Sequence, residues 1–555
     1  MPTITINYGD LIKLIGKEIP LDELEEIILL LKGEVEEVEG KEITIEITAD
    51  RIDLLSTEGW ARAIKGFLEI ETGIPEYPIL PATTHLKVDS SVLKVRPYIV
   101  AAIVRGVNLS EDALIQSLQL QEKLHMTWCR NRKKASIGIY DLDKIKPPIT
   151  YLALPPEKIR FVPLDTKEEM NGREILEKHP KGIEFAHLLQ GAPEYPLLID
   201  SEGTVLSMPP IINSEDTRVT EDTKNLFIDV TGLSEDVINY ALNTIVANLA
   251  ERRGKIELIE VKYPSYSFLS PKFDNNEIDA SVTYISKVVG KVLTRDEVIN
   301  YLRRARLDAK PIDADKIKVI IPPWRADFLH PVDIAEDVAI AFGYNNLTPE
   351  LPNLFTIGKI HETERVTELI RDIMIGNGFQ EIRNYIFTNK DILFRKVLRE
   401  EKNVVEVANP VTSLYTVLRD SLFPGILKFL SNNIHAPYPQ KIFEIGDVVI
   451  VDEKAETKTI QYRNLSAAVT DYEISFEDIH APLHQLMIQI GKKYTLKRYN
   501  YPYFISGRSA KIICDNSEVG IVGEVNPEVL VNFNLENPVV LFELNISKIL
   551  NLKPF

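Results

Sequence analysis

Apolar and polar residues alternate over the first ten positions, a two-residue period that predicts a strand. A helical period follows. Leu24, Ile27, Ile28 and Leu31 recur on one face, Pro20 precedes them and Gly33 comes after, so a helix over 21–32 with a glycine stop is predicted. From 35 to 47 the alternation returns around Glu39-Gly40 and predicts paired strands. The proline-rich stretch 74–81 reads as a linker, because fixed φ angles and missing donors suit an extended surface connection.

The segment 83–264 mixes short strands, helices and long loops, divided by the proline-rich stretch 147–163, and is expected to be one α+β domain or two entwined ones. A compact unit over 265–352 follows. Thr294 and Glu297 have capping-box spacing and open a helix striped by Val298, Tyr301, Leu302 and Ala305. A strand over 316–321 and a second helix near 332–342 complete a winged-helix-like pattern. In the last segment, 353–555, Val366, Leu369, Ile370, Ile373 and Met374 mark an amphipathic helix ended near 376–378. Apolar runs at 381–387, 404–407, 414–418, 440–444, 467–470, 510–514 and 539–544 predict an antiparallel sheet flanked by helices.

At 555 residues the chain is too long for one core, and its boundaries are expected near 82, 264 and 352. No apolar run approaches the roughly 20 residues that span a bilayer, and no secretory signal is legible, so a soluble cytoplasmic protein is expected. Two distant cysteines, Cys129 and Cys514, predict neither disulfide nor zinc site. A net charge of −18 excludes a surface that coats nucleic acid throughout but leaves room for a local basic patch.

The stretch Thr48-Ala-Asp-Arg-Ile-Asp-Leu-Leu-Ser-Thr-Glu-Gly-Trp-Ala-Arg-Ala-Ile64 could be a capped helix whose Asp50, Arg51 and Asp53 satisfy one another. Further runs follow in order: Pro209-Pro-Ile-Ile-Asn-Ser214 with Phe227-Ile-Asp-Val-Thr-Gly232, Pro322-Pro-Trp-Arg-Ala-Asp327 with Phe342-Gly-Tyr-Asn345, and Val417-Leu-Arg-Asp-Ser-Leu-Phe-Pro-Gly-Ile-Leu-Lys428 with Ile442-Phe-Glu-Ile-Gly446. Together they resemble the phenylalanyl-tRNA synthetase β subunits of the archaeal and eukaryotic type. The resemblance implies a multidomain α+β fold containing an editing domain, a winged-helix-like metal-binding module and an inactive copy of the class II synthetase sheet.

It also implies an α subunit that holds the aminoacylation site, an α₂β₂ assembly, tRNA(Phe) as partner, and phenylalanine and ATP used through the complex. Active class II sites clamp phosphates with two arginines. Here Arg419 and Glu444 echo the first position, whereas Val540-Leu-Phe-Glu-Leu-Asn-Ile546 carries Glu543 where the second arginine belongs. Arg419 is therefore expected in an ion pair or interface.

Asp333, Glu336 and Asp337 share a helix face, with Asp327 six residues before the first of them. Such a group either holds Mg²⁺ or answers the helix dipole. The resemblance favours a Mg²⁺ site at Asp327, Asp333, Glu336 and Asp337, with Asp337 standing where many members have Glu.

The family's second segment removes Tyr from mischarged tRNA, since an apolar pocket for Phe rejects Tyr weakly. The resemblance places Leu198, Ser207, Asp229 and Thr231 in that pocket. No Ser-His-Asp or Cys-His grouping accompanies them, so attack by water is expected, and His125 and His187 read as structural or surface residues. The basic run 130–134, with Arg130, Arg132, Lys133 and Lys134, is a candidate contact for the tRNA end, together with Gln121 and Glu122. Two rival readings are a free-standing trans-editing hydrolase and a winged-helix regulator that binds nucleic acid through Arg303, Arg304 and Arg306.

Overall fold

The expected first helix forms as Leu21–Leu30, but the residue that turns the chain is Lys32, at φ 72°, and not Gly33. Gly33 opens the strand Gly33–Glu39, where a Cβ would lie 2.6 Å from the Trp60 ring. Its smallness serves packing, not a cap. The first strand is Thr3–Asn7, followed by a short helix, Tyr8–Ile15, that the alternation hid. These strands and Glu42–Ile47 make a three-stranded antiparallel sheet whose inward isoleucines, Ile4, Ile6, Ile43, Ile45 and Ile47, are fully buried. Each contributes roughly 1.5–3 kcal/mol by leaving water.

A computed structural model of the chain describes residues 1–552. The chain divides into two compact units, Met1–Glu350 and Leu351–Phe555. In the first, the small sheet shares a core with the helix Glu235–Glu251 and one face of a five-stranded sheet. That sheet runs in the order Ile79–Leu80, Lys255–Glu257, Tyr98–Arg105, Asn225–Gly232 and Ala135–Asp141. The proline-rich stretch 74–81 is thus partly a strand, because Ile79 and Leu80 pair with Ile256 and Glu257. A seven-stranded sheet carries Val205–Met208 beside Tyr195–Ile199, with Leu198 opposite Ser207. Beyond it, the helices Val282–Val289, Arg295–Arg304 and Pro331–Phe342 pack on a three-stranded antiparallel sheet, and Thr294 and Glu297 form the anticipated capping box.

The second unit is built on a seven-stranded sheet in the order Gln380–Glu381, Gln440–Val451, Thr459–Thr470, Val539–Asn545, Ser517–Val525, Phe504–Cys514 and Tyr494–Arg498. Only the first pair is parallel. The runs at 381–387 and 414–418 yield two-residue strands and 404–407 a single bridge, while the strand expected at 440–444 extends to Val451. Turn residues such as Gly446 did not stop it. The helices Glu362–Gly376 and Glu477–Gln489 pack on this sheet. Among the described residues no helix is long and apolar enough to cross a membrane, and Cys129 and Cys514 are free and buried.

Candidate functional site

Two neighbouring strands set the geometry. In the antiparallel pairing of Asn225–Gly232 with Ala135–Asp141, Asp229 faces Gly138 and Phe227 faces Tyr140. Ser207 arrives from the other sheet. The Tyr140 hydroxyl lies 2.6 Å from Asp229 Oδ1 and 2.7 Å from Ser207 Oγ, so one phenol joins both sheets by hydrogen bonds. Its ring stacks on Phe227 at 5.8 Å. Gly138 makes the arrangement possible, since a Cβ there would sit 1.9 Å from Tyr140 Oη and 2.5 Å from Asp229 Oδ1.

These groups open on a cavity of about 440 Å³, lined also by Gln121, Glu122, His125, Arg132 and Asn213. Burial pushes the Asp229 carboxyl up to about 7, against the Tyr140 hydrogen bond and the more distant Arg96 charge. No ion pair reaches Asp229 among the described residues. Tyr140, wholly buried beside that carboxyl, is held well above the ordinary phenol range and stays a donor. A carboxyl that titrates near neutrality inside a cavity can bind or exchange a proton there. His125 does not share that role. Its Nε2 accepts from the Ile137 N–H at 2.8 Å and burial pushes the ring down to about 4, so it is a neutral, fixed imidazole.

Ser207 and Asp229 therefore meet, but Leu198 and Thr231 lie outside the lining. Leu198 is fully buried in the core that holds Tyr151 and Phe227. The Thr231 hydroxyl accepts from Arg96 Nε at 3.0 Å, which occupies it. Tyr140 was missed by sequence reasoning, although a glycine inside a strand two residues earlier was a signal of close approach.

The basic run also divides. Arg130, Asn131 and Arg132 are left-handed, at φ 49°, 51° and 63°, and the turn folds Arg132 inward. There it donates to Ile211 O and Glu122 Oε1, both at 2.8 Å, with its guanidinium 4.4 Å above the Phe185 ring. Gln121 Nε2 donates to Ile137 O at 2.8 Å. Arg130 and Lys133 remain exposed and Lys134 is half-buried, so these three are the cations left to meet an anionic ligand.

The four carboxylates of the expected Mg²⁺ site all bond to groups within the chain. Arg325, 3% exposed, binds both oxygens of Asp327 at 2.8 and 2.7 Å and reaches Asp337 Oδ2 at 2.8 Å. Glu336 pairs with Lys32 at 2.7 Å, and Asp333 accepts from the Leu329 and His330 N–H groups as a helix cap. A guanidinium and an ammonium thus supply positive charge to three of the four carboxylates, Asp327, Asp337 and Glu336. Arg325 and Lys32 reach these carboxylates from outside the helix Pro331–Phe342, which no spacing along it reveals. Two of the three arginines of the regulator reading are likewise engaged: Arg304 donates to Phe67 O and Arg306 pairs with Glu71.

In the second unit Arg419 donates to Glu444 Oε1 at 2.6 Å and to Asp447 O at 2.9 Å. Glu444 also accepts from Asn384, through Nδ2 at 2.8 Å. Glu543 accepts from Ser421 Oγ and Asn464 Nδ2, both at 2.7 Å, and from the Leu422 and Phe423 N–H groups at 3.0 Å. Its carboxylate caps the helix Phe423–Asn432. Glu444 is thus held by a guanidinium and an amide, and Glu543 by a hydroxyl, an amide and two backbone N–H groups.

Three families match the sequence: "B3/4 domain" over 97–260, "tRNA synthetase B5 domain" over 278–344 and "Phenylalanyl tRNA synthetase beta chain CLM domain" over 347–546. The chain is 43% identical over 552 residues to the phenylalanine–tRNA ligase beta subunit of Korarchaeum cryptofilum, covering 99% of each chain. It is 44% identical over 552 residues to that of Methanocaldococcus jannaschii, covering 99% of this chain and 100% of the relative. A crystal structure of an N-terminal fragment of the phenylalanyl-tRNA synthetase beta subunit of Pyrococcus horikoshii aligns with 62% of this chain and all of the fragment, at 44% identity and a TM-score of 0.60.

Proposed function

The chain belongs to the phenylalanine–tRNA ligase β subunits, parts of an aminoacyl-tRNA synthetase, and from that premise we propose that it is the non-catalytic partner of an α subunit and hydrolyses Tyr-tRNA(Phe) in the cavity around Asp229. The observation that carries the second half is the Ser207–Tyr140–Asp229 chain of hydroxyls and carboxyl. Tyr140 occupies Asp229 Oδ1, and no hydrogen bond within the described residues reaches Oδ2. The phenol of a misplaced tyrosyl group donates to Oδ2, whereas a phenylalanyl group would leave that buried acid unpaired. Sites built to bond a substrate hydroxyl reject the analogue lacking it by about 10⁴–10⁵. Water attacks the ester carbonyl, the bond to the ribose oxygen breaks, and tyrosine and intact tRNA leave. Exposed Arg130 and Lys133, with Lys134, hold the tRNA end.

Non-catalysis of aminoacylation is supported by the engaged states of Arg419 and Glu543. Charging, with its ATP and Mg²⁺, belongs on the α subunit of a cytoplasmic α₂β₂ complex. The unit 1–82, the editing domain 83–264, the winged-helix-like module 265–352 and the synthetase-like domain 353–555 are the parts through which the chain contributes. The test is ATP-dependent charging of tRNA(Phe) by this chain, by an α subunit and by the pair, followed by deacylation of Tyr- and Phe-tRNA(Phe). Charging by the pair alone and Tyr-selective deacylation support the reading. Deacylation by the isolated chain, with no association, would instead favour the free-standing hydrolase.

A further inference from the structure

On the helix Glu477–Gln489 of the second unit, Glu477, His480 and His484 fall at spacings of three and four, so they share one face. Tyr494 opens the edge strand Tyr494–Arg498, just after the turn at Gly491. His480 Nε2 lies 3.1 Å and His484 Nδ1 3.2 Å from the same atom, Tyr494 Oη. Two imidazole nitrogens therefore converge on one phenol oxygen. The other nitrogen of His480 is 3.2 Å from Glu477 Oε2. A carboxylate behind an imidazole is the arrangement that fixes a metal-binding tautomer, because it holds the ring proton on the nitrogen away from the ion.

We propose that His480, His484 and Tyr494 bind a divalent transition metal of the Zn²⁺, Cu²⁺ or Ni²⁺ class, with Glu477 as a positioning residue and water completing the coordination. Two imidazoles and one phenol oxygen, whose proton passes to solvent as the ion binds, suit these ions and not Mg²⁺ or Ca²⁺, which take oxygen sets. The donors lie on a partly exposed surface, with 28% of the His480 side chain accessible, so an ion reaches them without opening the core. A bound ion ties the helix to the strand across the intervening turn. That strand is the last in the sheet order, and its outer edge pairs with no other strand among the described residues. The clip holds the edge in register and stabilises the fold by mass action.

The experiment uses the full chain in the complex with which it copurifies, free of any histidine tag. ZnCl₂ and CuCl₂ are titrated separately, with MgCl₂ as control, while melting temperature and the copper paramagnetic spectrum are recorded. The expected result is a Zn²⁺-dependent rise in melting temperature absent with MgCl₂, and a copper signal from two nitrogen ligands at one site per chain. His480→Ala/His484→Ala removes both. Glu477→Gln keeps both ligands and weakens binding by about 10–100-fold. The proposal is overturned if wild-type protein shows neither response, or if the double variant, with its metal-free melting temperature unchanged, responds like the wild type. Should the double variant not fold, an unchanged metal affinity in Glu477→Gln overturns it.

Discussion

Asp229 in the first unit and Glu444 in the second are both almost fully buried carboxyls on the middle strands of sheets, yet they are held in opposite ways. Glu444 is bound by a guanidinium 2.6 Å away and by an amide. Asp229 has one phenol and no ion pair, and its carboxyl is pushed up to about 7. A paired carboxylate is a fastener, because any change in its charge breaks the pair. An unpaired one above a cavity can change protonation or take a new partner at modest cost. The contrast separates a carboxyl still open to a new partner from one already committed to its neighbours.

The largest effect should come from breaking the fastener. Arg419→Ala strands Glu444 and is expected to cost about 3–5 kcal/mol in denaturant unfolding of the chain. A variant that unfolds like wild type but no longer supports charging would instead make Arg419 a catalytic group and erase the contrast. On the other side, Gly138→Val drives a side chain into Tyr140 and Asp229. Tyr-tRNA(Phe) hydrolysis should fall by about 10²-fold, as expected for displaced reacting groups, while Phe charging by the complex persists. Retained hydrolysis would move the active cavity elsewhere.

A smaller effect concerns stability against pH. The Asp229 carboxyl is near 7 folded and about 3.9 unfolded, so the native state binds its proton more tightly. Its contribution is therefore greatest below about pH 4 and is lost as pH rises towards 7. Asp229→Asn removes that slope, and its melting temperature should gain on wild type between pH 5 and pH 8 while Tyr-selective hydrolysis disappears. A constant difference across that range would mean Asp229 is ionised throughout. The smallest and sharpest test is Tyr140→Phe. It deletes the hydrogen bond that favours the ionised acid, so an inflection in kcat/KM for Tyr-tRNA(Phe) that reports the Asp229 carboxyl should move upward relative to wild type. Reduced activity with an unmoved inflection would confine Tyr140 to packing.

Local periodicity and capping were legible where one element decides the outcome. Thr294 and Glu297 bracket their helix as read. Partners brought from afar were not legible. The pair formed by Lys32 and Glu336 spans 304 positions, and no spacing rule reaches that far. Arg325 lies inside the run Pro322-Pro-Trp-Arg-Ala-Asp327, but its two-residue offset from Asp327 does not reveal that Asp337 turns to meet it. The cavity was half legible for the same reason. Ser207 and Asp229 fall on alternate-facing strand positions that point inward, whereas Thr231, on the same strand face as Asp229, is claimed by Arg96 from a separate segment. The basic run misled because a positive φ at Arg132 reverses its direction, and nothing in a run of charges announces that.

Arg252 binds Asp10 through two hydrogen bonds and Glu58 through a third, and all three side chains are buried. The partners are 242 and 194 residues apart. On the ribosome, at roughly 5–20 residues per second, the amino-terminal carboxylates emerge on the order of ten to fifty seconds before the guanidinium that neutralises them. Throughout that interval the nascent segment has two acids it cannot bury without loss, so it stays hydrated and loosely structured. Its closure marks the arrival of the helix Glu235–Glu251, and a ribosome stalled before Arg252 should carry a protease-sensitive amino terminus that one stalled well after it does not.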